Sequence, residues 1–181
     1  MFILVTGGSG SGKSEYAENR AVELSRPENQ MLYYIATMVP YDQESHQRIA
    51  RHQAMRRDKH FVTREQYTGL RQLCLPGNGV ALLECMSNLA ANEIYRPEGA
   101  KEKAVEEIWA GIEALLEKCR HLVVVTNEIF SDGILYEEET RRYQQVLGEI
   151  NSRMARRADQ VVEVVYGIPV VHKGEQGEKQ L

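Results

Sequence analysis

The sequence predicts an α/β fold: a mostly parallel β-sheet with helices on both faces, closed by a C-terminal hairpin. Three observations predict it. Short continuous apolar runs alternate with longer amphipathic stretches, the pattern of strands buried on both sides by crossover helices. The first apolar run leads through a glycine-rich loop straight into a helical stretch. Near the end, Gln160 to Val165 and Ile168 to Val171 are strand-like and separated only by Tyr166-Gly167, a hairpin that makes the sheet mixed.

In chain order, residues 2–6 read as a short buried strand and 13–25 as a helix, which Pro27 stops by disfavouring helical geometry at Arg26. Met31 to Ala36 is a second strand. Residues 43–57 are polar, charged and proline-free, and read as helical. His60 to Thr63 reads as a short strand. Pro76-Gly77-Asn78-Gly79 is a turn before the strand Val80 to Leu83. From Gly99 to Cys119, Ala104, Ile108, Ile112 and Leu115 recur three and four apart and make one apolar stripe. His121 to Thr126 is a core strand. Residues 137–157 are helical, with Tyr143, Leu147, Ile150 and Met154 on one face. Pro169 confines the last strand to a sheet edge. Residues 1–173 read as a single domain and 174–181 as a polar, frayed tail.

The 181 residues suffice for one cored domain, and 43% hydrophobic with 27% charged residues is ordinary for a globular chain. The net charge of −4 carries no basic excess, which argues against nucleic acid as a partner. Three scattered cysteines, Cys74, Cys85 and Cys119, argue against a disulfide framework and for a reducing, cytoplasmic setting. The opening apolar run ends after Val5 with no basic leader, so it reads as a strand and not a signal peptide. No apolar stretch approaches the roughly 20 residues that span a membrane.

Gly7-Gly8-Ser9-Gly10-Ser11-Gly12-Lys13-Ser14 fits the phosphate-loop pattern Gly-x-x-x-x-Gly-Lys-Ser in the right strand–loop–helix context. Glycines let the backbone fold tightly so that N–H groups point at phosphate oxygens, and the helix N-terminus adds partial positive charge. Lys13 is expected to reach the β- and γ-phosphates, and the Ser14 hydroxyl to ligate Mg²⁺. The fold is therefore P-loop NTPase-like, of the RecA-like kind. Such a site needs an acid near the metal. Glu84 and Glu128 both end apolar strands, where ligands collect in open α/β sheets. For each, the plainer reading is a capping or ion-paired carboxylate.

Residues 42–60 hold His46, His52 and His60 among a dense set of arginines. On a helix, Arg48, His52 and Arg56 share one face. Flanking positive charge favours the neutral imidazole, a nucleophile, while guanidiniums suit a triphosphate. The competing reading is a solvated basic helix face. A zinc site is weaker: His46 and His52 are not on one face and no Cys or carboxylate cluster joins them.

Taken in order, Ile3-Leu4-Val5-Thr6-Gly7-Gly8 with Gly12-Lys13-Ser14, Tyr34-Ile35-Ala36-Thr37, Arg48-Ile49-x-x-His52, Leu82-Leu83-Glu84-Cys85 with Asn88, Val125-Thr126-Asn127-Glu128, Gly148-x-Ile150-Asn151 and Ala158-Asp159 cover nearly the whole chain. This set resembles the bifunctional adenosylcobinamide kinase / adenosylcobinamide-phosphate guanylyltransferase family of cobalamin biosynthesis. The resemblance implies two reactions. A nucleoside triphosphate phosphorylates the aminopropanol hydroxyl of adenosylcobinamide. GTP then guanylylates a histidine, which passes GMP to the corrinoid phosphate and gives adenosylcobinamide-GDP. It places the guanylylated histidine at His52. It places GTP contacts at residues 7–14 and at Ala36, Thr37, Met38, Gln53, Ala54, Met55, Arg56, Glu65 and Glu84. The phosphate-loop chemistry makes Lys13 the other catalytic group and puts Mg²⁺ on Ser14, with Glu84 as the acid beside it and GTP or ATP as the nucleotide. The resemblance also implies a homotrimer. The chain departs from the family pattern after the histidine: there is no Arg-Pro, and Phe61 stands at the place of a tryptophan.

Two rivals remain at the level of sequence. One is a P-loop kinase with phosphorylation alone. The other is a nucleotide-dependent regulatory module, although the Asn-Lys-x-Asp guanine-reading motif of GTPase switches is absent and Thr126-Asn127-Glu128 does not match it.

Overall fold

The structure is a computed structural model that describes residues 1–131 and 136–175. The elements run β1 (Phe2–Thr6), α1 (Lys13–Ser25), β2 (Leu32–Ala36), α2 (Gln43–Met55), β3 (Val62–Glu65), β4 (Val80–Glu84), α3 (Met86–Tyr95), α4 (Ala104–Lys118), β5 (His121–Val125), α5 (Glu138–Arg157), β6 (Gln160–Val165) and β7 (Ile168–Lys173), with single 3₁₀ turns between some of them. All strands join one seven-stranded sheet of order β3-β2-β4-β5-β1-β6-β7. Every pairing is parallel except β6 with β7. The expected mixed sheet with a closing hairpin is present, and Pro169 does lie on an edge strand.

Alternate residues of the central strands feed two cores. Phe2, Leu4, Tyr33, Ile35, Ala81, Leu83, Leu122 and Val124 face α3, α4 and α5. Ile3, Val5, Leu32, Tyr34, Leu82, Val123 and Val125 face α1, which meets them with Ala17 and Ala21. Each fully buried Leu, Ile or Val contributes about 1.5–3 kcal/mol relative to exposure, and β1, β4 and β5 are nearly continuous rows of them. The α4 stripe Ala104, Ile108, Ile112 and Leu115 is buried as its spacing predicts. So are Leu147, Ile150 and Met154 of α5.

Besides shifted ends elsewhere, with α4 starting at Ala104 rather than Gly99 and β7 reaching Lys173, three differences bear on the site. The strand placed at 60–63 starts at Val62, because His60 takes a left-handed conformation (φ 57°) after a 3₁₀ turn at Arg57–Lys59. The helix placed at 43–57 ends at Met55, with Arg56 outside the helical region at φ −102°, ψ 5°. The helix α3 has no clear periodic signal, and two of its three buried polar residues explain why. Asn92 Nδ2 donates to the carbonyls of Thr37 (2.8 Å) and Tyr67 (2.9 Å). The Glu93 carboxylate accepts from the amides of Gly69 (2.7 Å) and Ala100 (2.9 Å). Polar groups that staple loops sit where an apolar face is expected. The tail predicted from 174 lies, from residue 176 onward, outside the described residues. Among the described residues no helix is long and apolar enough to cross a membrane.

Candidate functional site

The carboxyl ends of β1, β2 and β4 open onto a cavity of about 480 Å³. Its floor is the glycine-rich loop. Gly7 leaves β1 at φ 152°, and a Cβ there would lie 2.6 Å from the Val164 carbonyl oxygen, so a side chain has no room. Residues Ser9 to Ser14 line the cavity, whereas Gly7 is buried and Gly8 is exposed, both outside the lining. Lys13, the first residue of α1, donates from Nζ to the Gly8 carbonyl at 2.9 Å. Burial lowers its pKa, and the Glu84 carboxylate opposes that shift.

Glu84 ends β4 two strands away from β1 and meets this floor. Ser14 Oγ donates to Glu84 Oε1 at 2.9 Å, and Oε2 is buried with no hydrogen-bond partner. Burial raises the Glu84 pKa to about 7, against the lowering effect of the Ser14 hydrogen bond and the Lys13 charge. A hydroxyl and an incompletely satisfied carboxylate, side by side over a phosphate-type loop, form a donor set that suits a hard divalent cation. Glu128, the other candidate acid, does not line the cavity. Its Oε1 accepts from Phe130 N (2.8 Å) and Ser131 Oγ (2.9 Å), so it shapes its own loop.

The opposite wall is α2. Asp42 caps it in a reciprocal capping box with Ser45, and no residue of the helix is buried. It presents His46, Arg48, Ile49, His52, Gln53 and Met55 to the cavity. His52 is half-buried, and its Nδ1 is buried without a partner. Burial lowers its pKa, aided by Arg56, then Arg51, Arg48 and Lys13. The positive surroundings expected of His52 are therefore present, by a different geometry. Arg56 is not on the helix face. It is buried with its guanidinium 3.8 Å over the Tyr34 ring, and Phe61 packs edge-on against that ring at 6.0 Å. Arg48 pairs with Glu44 in solvent. The segment after α2 is tied to α1 by Lys59 Nζ, which meets Glu18 at 2.8 Å with the Glu18 side chain only 1% exposed.

The far wall holds Thr63, Glu65 and Tyr67, with the Tyr67 hydroxyl donating to Glu65 Oε2 at 2.8 Å. Ala36 and Met38 complete the β2 end. Besides Gly7 and Gly8, two expected contact residues are absent from the lining. Thr37 is fully buried and turned inward, its hydroxyl donating to the Cys85 carbonyl at 2.8 Å and its amide to Glu84 O at 3.1 Å. Ala54 lies on the exposed side of α2. Conversely, Tyr34, Tyr67, Asn88 and Asn127 line the cavity although the sequence reading does not assign them to it. The two asparagines stand in strand-end motifs, a signal that is present in the sequence. Tyr34 stands in such a motif as well, whereas Tyr67 reads as an ordinary loop aromatic that only the tertiary fold places. Three more motif residues are structural ties: Thr126 Oγ1 donates to Asn151 Oδ1 (2.8 Å), and Asp159 Oδ2 accepts from Phe2 N (2.6 Å). Among the described residues no group of three or more His, Cys, Asp and Glu converges as a metal cluster.

Comparison with known proteins adds a family. Residues 3–172 match the family model described as cobinamide kinase / cobinamide phosphate guanyltransferase. The chain is 36% identical to the bifunctional adenosylcobalamin biosynthesis protein CobU of Escherichia coli K12, across 94% of this chain and 98% of that one. It is 34% identical to the protein of the same name from Salmonella typhimurium, at the same coverage. It is 30% identical to the bifunctional adenosylcobalamin biosynthesis protein CobP of Pseudomonas aeruginosa, across 97% and 99%. Among solved structures, the ATPase domain of G40P aligns with a TM-score of 0.53 at 9% identity, covering 97% of this chain and 78% of that one. The KaiC-like protein PH0186 of Pyrococcus horikoshii aligns at 0.52 and 14%, covering 99% and 82%. At such identities these two speak for the fold alone.

Proposed function

The chain belongs to the cobinamide kinase / cobinamide phosphate guanyltransferase family, and from that premise we propose that it phosphorylates adenosylcobinamide and then transfers GMP from GTP to the product through a covalent His52–GMP intermediate. One observation carries this reading. The glycine-rich loop and His52 face each other across a single cavity, and the imidazole is biased toward its neutral, nucleophilic form by burial and by Arg56, Arg51, Arg48 and Lys13.

In the kinase step the loop amides and Lys13 neutralise charge on the transferring γ-phosphoryl group. Ser14 and Glu84 are the residues that would hold Mg²⁺, which when bound shields phosphate charge. In the second step an imidazole nitrogen of His52 attacks the α-phosphorus of GTP. The bond to the β-phosphate oxygen breaks, pyrophosphate leaves, and a phosphoramidate forms as the ring sheds its proton. A phosphate oxygen of the corrinoid phosphate then attacks that phosphorus, the N–P bond breaks, and the imidazole is restored. Lys13 and residues Ser9 to Ser14 serve the phosphates in both steps. Ala36, Met38, Gln53, Met55, Arg56 and Glu65 line the remainder of the cavity. A carboxylate at Glu65 suits the N–H donors on the guanine edge. The same proposal extends to residues 1–173 as one domain, to a homotrimer and to a cytoplasmic location.

The test is incubation with α-labelled GTP followed by a denaturing gel. An acid-labile, alkali-stable label on the protein, absent in His52→Ala, is expected. No label under turnover conditions sinks the covalent mechanism.

A further inference from the structure

We infer that Gly167, in the turn of the β6–β7 hairpin, is a positioning residue of the nucleotide site: its backbone N–H fixes the orientation of the Ser11–Gly12 peptide in the phosphate loop. The turn residues Tyr166 and Gly167 have φ 50° and 80°, the double left-handed conformation of a tight hairpin. Tips of such hairpins usually meet only solvent. Tyr166 does, at 94% exposure. Gly167 does not: its N–H donates to the Ser11 carbonyl at 2.8 Å. The two backbones also approach closely, since a Cβ on Gly12 would lie 3.3 Å from Gly167 Cα.

Peptide planarity turns this contact into an orientation. The Ser11–Gly12 bond is trans, so its C=O and N–H point in opposite directions. Holding the carbonyl against the hairpin directs the Gly12 N–H the other way, toward the cavity that Gly12 lines. Gly12 itself sits at φ 90°, where glycine has several accessible conformations. An external tie is what selects one. At the base of the loop a second backbone donor acts alike: Glu128 N–H meets the Gly7 carbonyl at 3.1 Å. The loop is thus braced from β5's exit at one end and from the hairpin at the other. This also gives the Thr126-Asn127-Glu128 motif a role, since the amide at 128 anchors the loop whatever its side chain does.

The inference rests on the proposed nucleotide reading only in assigning phosphate to the loop, and its test separates the two. The full chain is made by ligation with glycolate in place of Gly167, an ester that lacks the N–H but keeps the backbone freedom. The Gly12 amide resonance of the ligand-free ¹⁵N-labelled protein is expected to broaden or split. Affinity for GTP and for tripolyphosphate is expected to fall about tenfold. Ile168→Thr, at an exposed position of the same hairpin, is the control for a general loosening, and it should leave both readouts in place. A Gly12 resonance unchanged in the ester, with tripolyphosphate affinity within twofold, overturns the inference. So does an equal change in Ile168→Thr. If the unsubstituted chain binds neither GTP nor tripolyphosphate, the functional reading fails and the Gly12 resonance still decides the role of Gly167.

Discussion

The two walls of the cavity are built in opposite ways. The phosphate loop and α1 grow out of the central strand, and α1 buries Ala17 and Ala21 against the sheet. The α2 wall buries no residue at all. It is held by its own cap and by two ties just beyond its C-terminus: Arg56 on Tyr34, and Lys59 on Glu18. One wall is part of the core, and the other is a helix fastened to the core only at its exit. Changes on α2 should therefore reach chemistry without reaching stability, and a change to the Lys59–Glu18 tie should do the reverse.

The sharpest way to break this contrast is His52→Ala. It should abolish the GMP label completely while the kinase rate stays within about threefold and the thermal midpoint is unchanged. A fall in midpoint of several degrees would show that α2 is a stabilising element after all. Next, Lys13→Met should cut both activities by about 10³-fold or more, because both use the same phosphate floor. Retention of the GMP label at near-normal rate would separate the two sites. Lys59→Met tests the tie. It leaves the Glu18 carboxylate buried without its partner, and chemical denaturation should record a loss of about 2–4 kcal/mol; no loss would mean that α1 does not depend on the α2 exit. Asp42→Ala removes the cap and should loosen the helix. Hydrogen exchange should place that loosening within residues 43–55, and protection elsewhere should not change.

The smallest effect concerns pH. The His52 pKa is lowered, first by burial and then by Arg56, Arg51 and Arg48. The neutral ring is therefore favoured to lower pH than in an unperturbed histidine. The His52 ring-proton resonances of the ligand-free protein should titrate with a midpoint below that of a free imidazole. A midpoint at or above the free value would mean that neither burial nor the cationic neighbours act on the ring.

The same contrast governs what the sequence could reveal. The core wall is legible because its signals are contiguous: an apolar strand, a loop pattern and a helix, with Glu84 marked by its place at a strand end. On α2 the helix is legible from local polarity, and His52 from its arginine neighbours and the family resemblance. Which way each neighbour points is not. Thr37 turns inward to tie β2 to β4, and Ala54 turns out to solvent. Arg56 leaves the helix for a tyrosine ring. These outcomes depend on contacts between segments distant in sequence, as do the asparagine and glutamate staples of α3 that hide its periodicity.

The strand order has a consequence for how the chain reaches its working state. β1 carries the phosphate loop but pairs only with β5, from residue 122, and β6, from residue 160. During synthesis it precedes both neighbours, waiting until residue 125 for the whole of β5 and until residue 165 for β6. Such long-range pairing is slow to form and leaves an apolar segment unpartnered in the meantime. A ribosome-bound chain that stops before β6 can therefore anchor the phosphate loop at Gly7 from the β5 exit but lacks the hairpin brace at Ser11, so the loop is only half-secured until the hairpin has been made.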